Sequence, residues 1–425
     1  MAPLTLLFAA AVAAATATAT PVNPPDTSLS TIPVAYYGAN WNRTQTNIDG
    51  LAKFQMVTLM QEDGHCWATC CPHASDPGHS SQCGPLHNAS AIPGCDASCA
   101  QHAAQSDIFA AVKSSAKSQS RRAPHCVLYM NSVYLWPFDA ANTLGSAVQL
   151  LDVHGAPHME SCDPGIFPSY FWDFGRKRAQ QAWLDIIRTN ILGKSGSADG
   201  LYNDCDTQNP IICSTSDPNN NTCTARRNGK AESLNEEVTR AQLDAYQAGK
   251  NATMLLASKM VDGAGGTFYN KNSAAGGKKP PNFGGGNLQY LKIGHHEGSA
   301  WDASGFFADV AKIRENYDYI VVGSANGFSS PKTETLPQNQ DLTSGRSLKT
   351  CPTNTVVAQF LLGVEPGMYL GCNAWDKRFD RELGAPKGKA ILNNATQTWH
   401  RSFASGVRVT WDVKADTGAV IWPTQ

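Results

Sequence analysis

The chain has 425 residues, with 34 Lys plus Arg against 35 Asp plus Glu, a formal net charge of −1, and 42% hydrophobic residues. That balance, without Lys/Arg runs, leaves no electrostatic footprint for nucleic acid or an anionic membrane surface, so neither is expected as a partner. The length is more than one small domain needs and suits one large core carrying insertions.

Residues 4–15 form a Leu/Ala-rich apolar run too short to span a bilayer. Ala17-Thr18-Ala19 then supplies small residues at the cleavage spacing of a secretory signal, although no Lys or Arg precedes the run. Residues 1–19 are therefore read as a signal peptide, and the protein is expected to be secreted, with no membrane span. Sequons at Asn42, Asn88, Asn220, Asn251 and Asn394 are candidate glycosylation sites in that pathway. Thirteen cysteines fit an oxidising compartment, and their odd total leaves at least one thiol unpaired. Six of them (Cys66, Cys70, Cys71, Cys83, Cys95, Cys99) crowd into an insertion over 62–100. His65, His73 and His79 lie nearby, but no clean pair of C-x₂-C motifs is present, so a disulfide-stapled loop is preferred to zinc. No metal and no cofactor is expected.

Further along, strand-length apolar runs alternate with helical patterns, the sequence form of a parallel α/β fold. The strands are expected at 33–38, 55–60, 125–130, 200–203, 266–270, 288–293, 319–323 and 368–371. Helices are expected at 107–117, 175–191, 233–260, 301–316 and 355–362. The third opens on a Ser233/Glu236 capping box and stops at Gly263. Eight strands with helical crossovers is the count that a closed (β/α)₈ barrel, the TIM-barrel fold, needs. The barrel is assigned to 30–380, with two long loops on the face where strands end, 62–100 and the Gly/Lys/Pro-rich 274–286, for which a disordered insertion is the equal alternative. Over 381–425 the pattern turns to alternation at 407–412 and 419–422 around Asp416-Thr417-Gly418, which predicts a short antiparallel β appendage packed on the barrel.

The most informative segment is Asp199-Gly200-Leu201-Tyr202-Asn203-Asp204, an apolar strand closed by a carboxylate. A carboxylate at the carboxyl end of a barrel strand projects into the cleft. Glycosidic cleavage needs two such groups, one ionised beside the oxocarbenium-like centre and one protonating the leaving oxygen. The alternative role for Asp204 is to cap a helix or pair with Arg226 or Arg227. Glu297 ends the strand-6 run Leu291-Lys292-Ile293-Gly294-His295-His296-Glu297 and is the candidate second carboxyl. Its neighbours His295 and His296 are candidates to hold a sugar hydroxyl, with holding Glu297 in place or standing exposed as equal alternatives; adjacent strand residues face opposite ways and do not readily share one metal ion.

Three stretches resemble a family of little-characterised barrel glycoside hydrolases: Tyr170-Phe171-Trp172-Asp173-Phe174 with the helix after it; Asp199 to Asp204; and Phe360-Leu361-Leu362-Gly363-Val364-Glu365-Pro366-Gly367-Met368-Tyr369-Leu370-Gly371 with Leu383-Gly384-Ala385-Pro386-Lys387-Gly388. The resemblance spans about 170–422 and is looser before it. Asp199 and Asp204 are also spaced as in the strand-4 motif of α-galactosidase-like and α-glucosidase-like barrels, which implies a nucleophile's role for Asp204. The same likeness implies an acid/base on strand 6, where Glu297 stands among neighbours that match no familiar acid/base motif.

Other residues at the cleft end are candidates for substrate contact: Tyr36, Asn40 and Trp41 after strand 1, Glu62 after strand 2, Asn131 after strand 3, and Tyr202 and Asp206 around strand 4. Glu62 and its neighbour Asp63 are also rival acids. Trp172 and Asp173 suit sugar stacking and hydroxyl binding, or equally core packing and a helix cap. Glu365 precedes strand 8, at the wrong end for catalysis. The expected activity is O-glycoside hydrolysis by two carboxylates on a poly- or oligosaccharide, by a monomer. A non-catalytic carbohydrate-binding or wall-associated protein on the same barrel is the alternative.

Overall fold

The structure, a computed structural model, describes residues 23–38, 45–60, 106–135, 140–157, 159–161, 168–192, 198–204, 211–213, 222–225, 237–270, 288–293, 319–324, 354–371 and 375–424. The principal strands are β1 (Val34–Gly38), β2 (Met56–Met60), β3 (His125–Asn131), β4 (Gly200–Asp204), β5 (Thr267–Asn270), β6 (Leu288–Ile293), β7 (Tyr319–Ser324) and β8 (Met368–Gly371). They form one parallel sheet in the order β5-β4-β3-β2-β1-β8-β7-β6. Each lies within a residue of its expected bounds. Their apolar runs reflect burial on both faces, as β3 shows by being buried at every position.

Alternation along the strands divides two cores. Cys126, Leu128 and Met130 of β3 face the main core, which the helices complete. Val127 and Tyr129 face the other side, with Ala35, Met56, Tyr202, Tyr269 and Tyr369; among the described residues, six strands supply this second cluster and no helix contributes to it.

At the end where strands begin, residues from 23 onward lie across the sheet. Asp199, 1% exposed, accepts from Lys113 Nζ (2.7 Å), the Asn23 amide (2.9 Å) and the Cys126 amide (2.8 Å). His125 bonds the Asn23 carbonyl through Nδ1 (2.5 Å) and the Tyr269 hydroxyl through Nε2 (2.7 Å). Tyr369 donates to the carbonyl of Asp26 (2.8 Å). Cys126 is a buried free thiol, its pKa pushed up by burial.

The helices are α1 (Gln45–Leu51), α2 (Ser106–Ser118), α3 (Lys177–Ile187), α4 (Arg240–Gly263) and α5 (Asn354–Gly363). Helix α1 was not foreseen in the sequence pattern, and the helix expected over 301–316 lies outside the described residues. The start of α4 corrects the expected one. Residues Glu237–Thr239 form a strand, and Thr239 is the N-cap, accepting from the Gln242 amide (3.1 Å) while the Gln242 side chain accepts from the Thr239 amide (2.7 Å). The helix ends at Gly263, and the chain reverses through Gly265 at φ 78°. Helix α4 packs so tightly on the turn before α3 that a Cβ at Gly249 would stand 1.8 Å from the Phe174 carbonyl oxygen.

Two small antiparallel sheets lie between the principal strands: Tyr134–Leu135, Pro168–Phe171 and Met159–Ser161 before α3, and Ile211–Cys213, Thr222–Ala225 and Glu237–Thr239 between β4 and α4. The C-terminal sheet is β9 (Ile391–Asn393), β10 (Thr398–Ser402), β11 (Arg408–Asp412) and β12 (Thr417–Ile421), antiparallel throughout. Arg401 fixes it to α5, donating through Nη1 to the carbonyls of Leu361, Leu362 and Val364 and through Nη2 to Glu365. Glu365 is therefore a link between the two sheets.

Candidate active site

Asp204 is the last residue of β4 and pairs in register with Asn131, the last residue of β3. It stands two residues beyond Tyr202, which belongs to the second cluster. The period of two therefore puts position 204 on that same face, at the carboxyl end of the sheet. Asn131 stands two residues beyond Tyr129 and shares the face. Beneath them lie Tyr129 and Tyr202, ring centroids 5.7 Å apart, with Tyr269 and Tyr369 in the same cluster. All four rings are buried. The four rings form a buried aromatic floor on this face of the sheet, a setting of low effective dielectric.

The floor escaped the sequence reading, yet its signal is in the chain. In four strands the floor tyrosine follows an apolar residue: Leu128-Tyr129, Leu201-Tyr202, Phe268-Tyr269 and Met368-Tyr369. Tyr202, expected to meet substrate, is part of this floor and 1% exposed, so position 204 rather than its ring is at the cleft end.

Asn131 shapes the rim. Its side-chain oxygen accepts from the amides of Val133 (2.8 Å) and Tyr134 (2.9 Å), turning the chain out of β3, and its amide nitrogen donates to the Tyr129 hydroxyl (3.5 Å). The expected substrate contact is corrected to a turn-forming role, because that oxygen is already committed.

Two further expectations are corrected by burial. Tyr36 is 3% exposed and on the opposite face of β1 from Ala35, edge-on to Phe54 at 5.7 Å, and burial pushes its phenol pKa up. Trp172 is 1% exposed and stacked on Phe174, which in turn meets Trp183 and Tyr246. Neither ring has a face left for a sugar. Of the two roles weighed for this cluster, packing holds.

Asp173 accepts from the Gly175 amide (3.1 Å) and from Arg176 Nε (2.7 Å). Desolvation raises its carboxyl pKa, with Arg176 pulling the other way. It locks the turn ahead of α3 rather than capping the helix, whose N-cap residue is Arg176. The sugar-binding role expected of Asp173 gives way to this ion pair.

Asn40, Trp41, Glu62, Asp63, Asp206, His295, His296 and Glu297 lie outside the described residues. Strand β6, which leads toward Glu297, is described to Ile293 and pairs with β7 along its whole length. Among the described residues, no three His, Cys, Asp or Glu side chains gather to hold a metal ion, and no helix is long and apolar enough to cross a membrane.

No family model matches the sequence, and no curated protein does. Among solved structures the chain is similar to an alpha-N-acetylgalactosaminidase, NagBb, from Bifidobacterium bifidum, with 12% identity over 92% of this chain and 57% of that one and a TM-score of 0.35. It is also similar to an alpha-glucosyl transfer enzyme, XgtA, at 10% identity over 86% of this chain and 70% of that one, TM-score 0.40. The galactosidase domain of an alpha-galactosidase-sucrose kinase, AgaSK, shares 10% identity over 89% of this chain and 46% of that one, TM-score 0.38. The chain thus spans little more than half the length of the first of these. Likeness this loose leaves the activity to be argued from the chain's own site.

Proposed function

We propose that the eight principal strands close into a (β/α)₈ barrel and that the protein, secreted after loss of residues 1–19, hydrolyses O-glycosidic bonds of an oligo- or polysaccharide. The observation that supports this reading is the place of Asp204: the carboxyl end of β4, on the face lined by four buried tyrosines, in register with the rim residue Asn131. In this reading Asp204 stays ionised, as nucleophile or as the base that stabilises the oxocarbenium-like centre. Glu297, beyond the end of β6, is the general acid that protonates the leaving oxygen, and its surroundings must hold its pKa high enough to keep the proton. Glu62, His295, His296, Asn40, Trp41 and Asp206, which follow the same strands in sequence, are the residues proposed to contact sugar.

The test is to prepare Asp204→Asn and Glu297→Gln, establish by circular dichroism that each is folded, and assay both against a polysaccharide panel with product release and binding read separately. Each variant is expected to lose about 10²-fold or more in turnover while still retaining sugar. Folded variants with full activity would overturn the assignment. A parent that binds sugar and releases no product would replace hydrolysis with carbohydrate binding.

A further inference from the structure

Strand β4 does not lead directly into the next helix. Between Asp204 and α4 the chain builds the three-stranded antiparallel ladder of Ile211–Cys213, Thr222–Ala225 and Glu237–Thr239. Its register sets Cys213 directly opposite Cys223, and Cys223 directly opposite Val238. Directly paired residues of an antiparallel ladder have Cα atoms about 4.5–5.5 Å apart. A disulfide spans Cα separations of about 4.4–6.8 Å. The backbone thus holds two cysteines at bridging distance without further movement.

The three positions form one row across the ladder and share a face. Val238, the third position of the row, is fully buried in the main core. Cys126 offers a second observation. It is buried in β3 as a free thiol, so one cysteine of an odd total is accounted for, leaving twelve.

We propose that Cys213 and Cys223 form a disulfide that staples the excursion following Asp204, and that Cys126 is the chain's odd thiol. The bond forms by exchange: the Cys213 and Cys223 thiols give up two protons and two electrons to a donor disulfide, which leaves as two thiols. The donor is a protein or small-molecule disulfide of an oxidising compartment. This rests on the reading of the chain as secreted, and the experiment separates the two.

The protein is recovered from the medium of a secreting host or, where export fails, purified reduced and equilibrated with glutathione disulfide. Free thiols are alkylated in denaturant, N-glycans are removed, and the chain is cut with a protease that cleaves before aspartate. Asp206 and Asp217 then place Cys205, Cys213 and Cys223 on separate peptides. The expected result is a linked pair joining the Cys213 and Cys223 peptides, lighter by two hydrogen atoms than their sum, with Cys126 alkylated. In Cys213→Ser one additional thiol becomes alkylatable, and in Cys213→Ser/Cys223→Ser none does. Linkage of either cysteine to another partner, alkylation of both in the parent, or an unchanged thiol count in Cys213→Ser would each overturn the pairing. These counts are made on denatured chains, so they stand even where a variant folds poorly.

Discussion

His125 can lend only a hydrogen from Nδ1 to the Asn23 carbonyl, which fixes its tautomer and leaves Nε2 to accept from the Tyr269 hydroxyl. A second proton, on Nε2, would reverse the latter bond and leave a positive charge buried in the core. Burial accordingly holds the imidazole pKa below its ordinary 6.5, with the Asp199 carboxylate opposing the shift. The unfolded chain therefore takes up the proton first as pH falls. The contribution to stability is full above about 6.5 and is lost progressively as the pH drops toward the folded pKa. Urea midpoints at about pH 8 and about pH 5 should show this loss, and His125→Gln should flatten the slope between them; a slope unchanged by the substitution would remove His125 from the account. At the same scale, Trp172→Ala is expected to cost about 3–5 kcal/mol of stability, read by denaturant unfolding, with substrate affinity unchanged in whatever fraction remains folded. Single residues were unevenly legible in the sequence. The strand-end position of Asp204 is legible because a carboxylate that closes an apolar run has a position as soon as the strands are counted. Trp172 and Tyr36 were not, because a ring that stacks on sugar and a ring that fills a core are the same residue type, and only burial tells them apart.

Among elements, the principal strands were the legible part. Burial on both faces writes such a strand as an apolar run bounded by turns, as in His125–Asn131. Helix α1 was missed because its seven residues, two of them buried, are too few to show a period. Strands β9 and β10 were missed because residues such as Ile391 and His400 are exposed, so polarity does not alternate cleanly along them. The start of α4 was misplaced by a rival capping box upstream, while the true one, Thr239 with Gln242, spells the same T/S-x-x-E/Q signal. Thr239→Ala should therefore cost about 1 kcal/mol, read as a lower urea midpoint. At the contact between α4 and the turn before α3, Gly249→Ala forces a methyl group against the Phe174 carbonyl. A loss of at least about 1–3 kcal/mol is expected on thermal or urea unfolding, and a neutral effect would mean the two elements pack less closely than described.

At the scale of the whole molecule, the C-terminal sheet and the parallel sheet share one core rather than touching at a surface. Arg401, 5% exposed, satisfies the last carbonyls of α5, and Gly418 of β12 lies so near α5 that a Cβ there would come within 2.7 Å of Ala358. Arg401→Ala leaves those buried carbonyls without their donor, at about 1–3 kcal/mol. Removal of 387–425 is expected to destabilise the remaining chain, and calorimetry of the intact protein should record one cooperative transition rather than two. Two separate transitions would show that the C-terminal sheet stands alone. The strand order has a consequence for how the protein is made. Strand β1 is flanked by β2 on one side and by β8 on the other, and Tyr369 reaches back to Asp26 across 343 residues of sequence. A nascent chain emerging from the ribosome can align β1 through β5 as each appears, but β1 keeps an open edge until nearly all the rest has been synthesised. Long-range parallel pairing of this kind is slow and leaves sticky strand edges exposed meanwhile. Biosynthetic yield should therefore depend on chaperones during that wait, more than the stability of the finished molecule would suggest.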